Sequence, residues 1–178
     1  MTAIDPREFS GKRVLVTGGT KGAGKAIAER FLQGGGTVAI TARSAPTHKT
    51  PAHYIQADVS TKQGTSKVIH EILDRFKGVD IIVHNVGGSS APSGGFATVT
   101  DELWQQAIDE NLYPAVRLDR GLLPSMIERG RVSSCIFRPS NGLCRSMTRR
   151  SLMLHRKRPS PITARRSPMK SARKGFES

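Results

Sequence analysis

A glycine-rich loop between an apolar run and an amphipathic segment constrains the fold of this chain more than any other feature. The run Val14–Thr17 ("VLVT") predicts a short buried strand, and the loop "TGGTKGAG" begins at its last residue. The segment Gly22–Leu32 then carries apolar residues at helical spacing. This order of strand, loop and helix brings a phosphate close to the helix N-terminus, where free N–H groups favour anions. The sequence therefore predicts an α/β domain with a nucleotide site after its first strand.

The same alternation of strands and helices continues to about residue 130. Further strands are predicted at 37–41, 54–57 and 79–83, and helices at 61–76 and from Thr100 to about Arg129, with a break near Asn111 ahead of Pro114. Alternating units of this kind predict a Rossmann-like doubly wound parallel sheet. A fifth strand is expected after Gly130, but the arginine-rich segment that begins at residue 131 does not show the apolar pattern of a strand. We therefore expect a sheet truncated after about four strands, with the edge of the fourth strand exposed and prone to aggregation.

Three glycines of the loop have a spacing that suits a dinucleotide. Gly18, Gly22 and Gly24 give Gly-x-x-x-Gly-x-Gly, which lets the chain turn sharply and lets a pyrophosphate approach the backbone. Glycines also make plain turns, so the triplet alone is weak evidence. The strand before it and the helix after it supply the context that favours cofactor binding.

The end of the second strand indicates which cofactor is preferred. An acidic residue there would bind the ribose 2′-hydroxyl of NAD(H), but this strand ends Thr41-Ala42-Arg43. A guanidinium binds phosphate oxygens bidentately, so Arg43 suits the 2′-phosphate of NADP(H), and Lys21 in the glycine loop adds a second charge. We predict NADP(H) over NAD(H). The alternative is that Arg43 is a solvated loop residue.

The positive charge is concentrated at one end of the chain. The net charge is +14, yet residues 1–130 hold 15 Lys and Arg against 13 Asp and Glu, whereas residues 131–178 hold 13 against Glu177 alone. We expect an incomplete nucleotide-binding domain over 1–130 and a disordered basic tail over 131–178. A rival interpretation makes that tail a nucleic-acid or polyanion binder, although it lacks an aromatic stacking pattern.

Other features set the expected location and partners. The N-terminus has no apolar core of a signal peptide, and no run is long enough to span a membrane, so we expect a cytoplasmic protein without membrane partners. Cys135 and Cys144 match no zinc spacing, and no metal site is predicted. Specific nucleic-acid binding is not expected.

Several motifs in order make the chain resemble the short-chain dehydrogenase/reductase family over about residues 10–134. "TGGTKGAG" resembles the family's cofactor loop, and "ADV" at Ala57–Val59 its adenine contact. "HNVG" at His84–Gly87 is similar to its Asn-Asn-Ala-Gly motif, with His84 and Val86 as departures, and "NLYPAVRL" at Asn111–Leu118 resembles its long-helix segment.

The resemblance implies a function and a set of site residues. The function is hydride transfer between NAD(P)H and a small carbonyl or alcohol substrate, with Asn111 matching the asparagine of the catalytic tetrad, and Arg43 selects NADP(H) as the expected cofactor. A homo-oligomer is implied for full-length members of the family, and we do not expect one for this chain. The cofactor-binding residues implied or predicted are Gly18, Thr20, Lys21, Gly22, Gly24, Arg43, Asp58, Val59, Asn85 and Gly87.

The other three residues of the family's tetrad have no counterpart here. The family uses a Tyr as proton donor, a Lys four residues later and an earlier Ser, but the two tyrosines of this chain, Tyr54 and Tyr113, are followed at that distance by Asp58 and Arg117. We therefore expect a catalytically inactive chain. A non-catalytic NADP(H)-binding module is an alternative.

Reading the codons one base back offers an origin for the basic segment. With CTN for Leu, CGN for Arg and TCN for Ser, the shifted frame forces an apolar run at codons 132–135 and permits Ser-Ser after it. It also permits Tyr-x-x-x-Lys from the junction of codons 152 and 153. We interpret the tail as frameshifted, with the shift near residues 128–131.

Overall fold

The computed structural model describes residues 5–89, 92–130, 132–136 and 145–148, the last as a backbone strand. The strands are β1 (Arg13–Thr17), β2 (Thr37–Ala42), β3 (His53–Gln56), β4 (Ile81–His84), β5 (Ser133–Ile136) and β6 (Arg145–Thr148). The helices are α1 (Gly22–Gln33), α2 (Lys62–Phe76), α3 (Asp101–Asn111) and α4 (Tyr113–Glu128), with a short 3-10 turn at Phe96–Thr98. The predicted strands and helices before residue 130 are confirmed within a few residues at each end.

The strands form one sheet in the order β3-β2-β1-β4-β5-β6. The first five strands run parallel to one another, whereas β6 runs antiparallel to β5. The order reverses direction between β1 and β4, and in such sheets ligands bind at the carboxyl ends of the strands beside this switch point. The Rossmann-like α/β class is therefore confirmed.

The expected end of the sheet after about four strands is wrong. Ser133–Ile136 pairs in parallel with β4, with Ile82 opposite Ser134 and His84 opposite Ile136. The edge of β4 is consequently covered, and the predicted aggregation through that edge loses its basis. Backbone groups of β4 can pair with almost any chain, which is why a segment without an apolar pattern can still form this strand. Both β5 and β6 lie beyond the predicted domain boundary at residue 130, and most of the predicted tail lies outside the described residues.

Side chains that alternate along the strands build one core on each face of the sheet. On one face, Leu15 and Ile82 pack with apolar residues of α2 and α4, including Ile72 and Leu118. On the other face, the cluster of Val14, Val16, Val38, Ile40 and Val83 is covered by Ala28, Ile27, Phe31 and Leu32 of α1. Helices on both faces hold the carboxyl ends of β1 and β4 at one edge, where the candidate site lies.

An ion pair with a buried carboxylate joins the amino ends of β1 and β4. Asp80, with its side chain 2% exposed, accepts hydrogen bonds from Nε of Arg13 at 3.0 Å and from Nη2 at 2.8 Å. Arg13 also donates to the carbonyl oxygen of Phe76 at the end of α2. Burial alone would raise the pKa of Asp80, but the hydrogen bonds and charge of Arg13 outweigh it and hold that pKa below its ordinary value.

Among the helices of the described residues, none has both the length and the apolar character needed to cross a membrane.

Candidate cofactor site

A cavity of about 370 Å³ lies at the carboxyl ends of the parallel strands. It is formed by the loops that follow β1, β2, β3 and β4, the arrangement expected at a switch point. Eight of the ten residues predicted to bind a cofactor line it: Gly18, Thr20, Lys21, Arg43, Asp58, Val59, Asn85 and Gly87. The sequence did not single out Ser44, Ser60, Gly88 and Glu110, which also line it.

The remaining two predicted residues, Gly22 and Gly24, belong to the first turn of α1 and shape the glycine loop. A Cβ on Gly24 would lie 2.2 Å from the carbonyl oxygen of Gly18 and 2.5 Å from Nδ2 of Asn85, so no side chain fits there. Gly18 and Gly22 both have positive φ angles, at +66° and +57°. The loop therefore brings its backbone close to the β4 loop in a way that only glycine permits.

The N-terminus of α1 opens towards this loop without a side-chain cap. Lys21 is the N-cap residue, and its side chain makes no capping hydrogen bond. The first N–H groups of a helix have no partner within the helix, and together with the helix dipole they favour an anion. A loop of close backbone approach and an uncapped helix start fit the pyrophosphate of a dinucleotide.

Thr17 is a buried organiser of the site that the sequence analysis missed. Its Oγ1 accepts hydrogen bonds from the N–H groups of Asn85 at 2.9 Å and Val86 at 3.1 Å, and donates to the carbonyl oxygen of Val83 at 3.4 Å. The side chain of Asn85 in turn donates to the carbonyl oxygen of Gly18 at 3.4 Å. The loops after β1 and β4 are thereby tied together. A hydroxyl at the last position of a strand, directly before the glycines, was the available signal.

Asp58 is kept ionised at the far side of the cavity. Its Oδ1 accepts from the hydroxyl of Ser60 at 2.7 Å and from the N–H of Ser60 at 3.0 Å. These hydrogen bonds, and more weakly the charge of Arg43, lower the pKa of Asp58. An ionised carboxylate that can accept a hydrogen bond from an amino group therefore lies near Arg43.

Arg43 follows β2 at the rim of the cavity and is exposed. Its carbonyl oxygen accepts from Nε2 of Gln56 at 3.1 Å, which fixes the backbone of this loop. Within the described residues its guanidinium has no hydrogen-bond partner or ion pair. Lys21, also exposed, lines the same cavity from the glycine loop. Arg43 and Lys21 are therefore two cations that line the cavity near the end of β2 and form no ion pair within the described residues.

Asn111 lies at the end of α3 and holds the loop that follows β4. Its Oδ1 accepts from the N–H of Gly88 at 3.0 Å, and its Nδ2 donates to the carbonyl oxygens of Gly88 and Ala107, both at 2.8 Å. A Cβ on Gly87 would lie 2.8 Å from this Oδ1. The side chain is outside the cavity lining. The contacts of the Asn111 side chain hold Gly87 and Gly88 in position.

Neither tyrosine reaches the cavity. Tyr54 is on β3, and its hydroxyl donates to the carbonyl oxygen of Ala42 at 3.2 Å, while burial raises its pKa. Tyr113 begins α4, with the guanidinium of Arg117 4.7 Å from its ring centre. The lining therefore contains no tyrosine hydroxyl among the described residues.

The serine of β5 and the unusual His84 engage a helix carboxylate. Nε2 of His84 lies 2.9 Å from Oδ1 of Asp119 in α4, and the hydroxyl of Ser134 donates to the same carboxylate at 3.1 Å. His84 is 4% exposed and Ser134 6%. Because Asp119 lies between them, the histidine cannot take the proton of the serine, and the group ties β4, β5 and α4 together. Within the described ranges, no group of three or more His, Cys, Asp or Glu side chains is arranged to hold a metal ion.

Comparisons with known proteins agree with this geometry. Residues 12–140 match the model of the short chain dehydrogenase family. The chain is 35% identical over 127 residues to an uncharacterized oxidoreductase, YvrD, of Bacillus subtilis, covering 66% of this chain and 47% of that protein. It is 31% identical over 125 residues to serine 3-dehydrogenase of Rhizobium radiobacter, covering 65% and 49%. The chain spans about half the length of these relatives.

Solved structures give the same answer. A short-chain dehydrogenase from Streptomyces avermitilis matches with a TM-score of 0.66 at 33% identity, over 71% of this chain and 49% of that one. L-sorbose reductase from Gluconobacter frateurii, complexed with NADPH and L-sorbose, matches with a TM-score of 0.62 at 32% identity, over 70% and 51%. The family match, the sheet order and the glycine loop agree: this chain belongs to the short-chain dehydrogenase family and carries the fold of its oxidoreductases.

Proposed function

We propose that this chain binds NADP(H) in the cavity at the carboxyl ends of β1, β2 and β4 without itself completing the oxidoreductase reaction. The observation that carries the binding proposal is the backbone approach at Gly24, where a Cβ would lie 2.2 Å from the carbonyl oxygen of Gly18. Such a loop beside an uncapped helix N-terminus suits a pyrophosphate. When bound, the nicotinamide cofactor supplies the hydride for reduction of a carbonyl or takes it from an alcohol.

The preference for the 2′-phosphate is assigned to Arg43 and Lys21. Both are exposed cations on the cavity lining, and no acidic residue follows β2 where a ribose-binding carboxylate would stand. Asp58 and Glu110 are the acidic residues of the lining, and hydrogen bonds with Ser60 lower the pKa of Asp58 and hold its side chain in place. A structural neighbour with 32% identity was solved with NADPH, which supports the same preference.

The described residues supply binding and positioning, and no tyrosine among them lines the cavity as a proton donor. Asn111 and Thr17 hold the loop after β4, and Asn85 joins it to the glycine loop. Proton transfer to a carbonyl oxygen needs an acid within hydrogen-bond reach of it. Tyr54 bonds to Ala42 on the β2 side of the sheet, and Tyr113 is outside the cavity lining. We therefore propose that reduction is absent or close to background in this chain.

Strand β5 supports the frameshift interpretation of residues after 130. A central strand of a parallel sheet is buried on both faces and normally reads as an apolar run. Here Ser134 and Cys135 are buried at 6% and 5% exposure, and the serine hydroxyl needs the Asp119 carboxylate as its partner. The shifted frame forces apolar residues at codons 132–135, which overlap this strand. An apolar β5 fits that environment better than the residues present.

Steady-state turnover in two expressed forms tests the proposal. The 178-residue chain and a protein translated from the frame one base back from near codon 130 are assayed for NADPH oxidation with a panel of ketones and aldehydes. We expect turnover only in the restored form, because Ser, Tyr and Lys would then join Asn111. Turnover by the 178-residue chain at ordinary enzyme rates, abolished by Asn111→Ala, would contradict the proposal that this chain is inactive. Stop codons in the shifted frame of the gene would overturn the frameshift.

A further inference from the structure

We propose that a basic groove between α2 and α4 is a second anion site, suited to a small phosphate-type oxyanion and separate from the cofactor cavity. The groove has a volume of about 330 Å³. Its lining residues are Lys62, Thr65, Ser66, Ile69, Arg117, Arg120 and Gly121. This inference does not depend on the proposal that the chain binds NADP(H).

The lining brings three cations together without a carboxylate. Lys62, Arg117 and Arg120 all line the groove, and none of the seven lining residues is acidic. Within the described residues, the side chains of Lys62 and Arg120 have neither an ion pair nor a hydrogen-bond partner. Like charges gathered in this way repel one another, and a bound anion relieves that repulsion. The groove is therefore electrostatically complementary to a compact negative group.

Arg117 is held in place before any ligand arrives. Its side chain is 13% exposed, its Nη1 donates to the carbonyl oxygen of Ser60 at 2.7 Å, and its guanidinium lies over the Tyr113 ring. The one acid beside it, Asp109, is 3.8 Å from Nη2, an ion pair without a hydrogen bond. A guanidinium has five N–H donors, of which the hydrogen bond to Ser60 uses one, and its fixed position lowers the entropy lost on binding.

The groove has a defined floor where the two helices approach closely. A Cβ on Gly121 would lie 2.5 Å from Cδ1 of Ile69, so glycine lets α4 approach α2 at this point. Lys62, Thr65, Ser66 and Ile69 occupy one face of α2, four residues at i, i+3, i+4 and i+7. Glu71, further along α2, lies 2.6 Å from Nε2 of His53 and is not part of the lining. A local patch of this size fits a phosphate or pyrophosphate better than an extended polyanion.

The experiment follows amide shifts of the full chain during titration with inorganic pyrophosphate at physiological salt. We expect saturable shifts at residues 62–66 and 117–121, and at least a tenfold loss of affinity there in Lys62→Glu/Arg120→Glu. The affinity of the neutral variant Lys62→Gln/Arg120→Gln should lie between that of the unaltered chain and that of the charge-reversed variant. This neutral variant keeps the test informative if the charge reversal impairs folding. The matched control is Lys49→Glu/Arg75→Glu, two exposed cations elsewhere with the same change in charge.

A second background separates the groove from the cofactor cavity. In Arg43→Ala/Lys21→Ala, pyrophosphate binding at 62–66 and 117–121 should persist, whereas NADPH binding should weaken. The proposal is overturned if no saturable shifts occur at the groove, if the groove shifts disappear with Arg43 and Lys21, or if the control pair loses as much affinity as the groove pair. A chain that fails to bind NADPH but retains the groove shifts would reject only the cofactor proposal.

Discussion

Asn111 and Gly88 exchange two hydrogen bonds beside the cofactor cavity, whose lining includes Gly88. The N–H of Gly88 donates to Oδ1 of Asn111 at 3.0 Å, and Nδ2 of Asn111 donates back to the carbonyl oxygen of Gly88 at 2.8 Å. This reciprocal pair fixes the loop after β4 to the end of α3. It gives Asn111 a positioning role at the loop after β4.

Removing that pair should loosen the loop more than the fold. For Asn111→Ala we expect faster hydrogen exchange at residues 86–88, a several-fold weaker NADPH affinity and a loss of about 1–2 kcal/mol in the free energy of unfolding. Asn111→Asp keeps an acceptor for the N–H of Gly88 but loses the donor. Its hydrogen-exchange rates should therefore lie between those of the unaltered chain and those of Asn111→Ala. Unchanged exchange at Gly88 in Asn111→Ala would contradict the positioning role.

Gly24→Ala should disrupt the glycine loop because the added Cβ would meet the carbonyl oxygen of Gly18 at 2.2 Å. We expect a loss of NADPH binding of at least tenfold and a lower thermal unfolding midpoint. Gly88→Ala is the matched control for stability, since its Cβ would meet nothing within 4 Å and its φ angle is not positive. An equal fall of the unfolding midpoint in both variants would show that backbone approach at Gly24 is not the cause.

The Arg13–Asp80 pair should be a major contributor to stability. Removing one member of a buried pair leaves the other charge unpaired, so Asp80→Ala should lower the free energy of unfolding by about 3–5 kcal/mol in denaturant titrations. The surface pair of Lys25 and Glu29 serves as the comparison. Glu29→Gln should change the free energy of unfolding by less than about 0.5 kcal/mol.

The same carboxylate gives the stability a defined pH dependence. The pKa of Asp80 is lowered in the folded chain from the ordinary value of 3.8, so the unfolded chain takes up a proton first as the pH falls. The contribution of Asp80 is full above that value and is lost as the pH falls through the folded pKa. Denaturant titrations below about pH 5 should therefore show a smaller acid-induced loss in Asp80→Asn than in the unaltered chain.

Arg43→Asp should change the cofactor preference by placing a negative charge against the 2′-phosphate. We expect NADPH affinity to fall by at least tenfold, about 1.4 kcal/mol, while NADH affinity is maintained or improved. Arg75→Asp, an exposed cation of α2 outside the cavity, controls for net charge. Loss of NADPH and NADH affinity to the same extent would assign Arg43 a structural role only.

The sequence was sufficient for the strands and helices before residue 130, because each has a local signal. Val14–Thr17 is an apolar run, the glycines after it define the turn, and Thr100 caps α3 by accepting from the N–H of Leu103. Arg43 and Asp58 could be placed in the cavity because the ends of parallel strands meet at one edge of the sheet.

Features that depend on contacts across the fold could not be predicted in the same way. Ser133 and Ser134 do not read as a strand, and β5 forms because β4 offers unpaired backbone groups and Asp119 accepts the serine hydroxyl. The roles of Thr17 and of the Asn111–Gly88 pair likewise rest on residues far apart in the chain. Sequence position alone does not reveal such partners.

The most direct test of the central claim is one equilibrium titration of the unaltered chain with NADPH and with NADH, followed by the quenching of Trp104 fluorescence or by calorimetry. We expect saturable binding of NADPH at one cofactor site, at least tenfold tighter than NADH, because Arg43 and Lys21 line the cavity and no acidic residue directly follows β2. Absence of saturable NADPH binding by the folded chain, or equal affinity for the two cofactors, would contradict it.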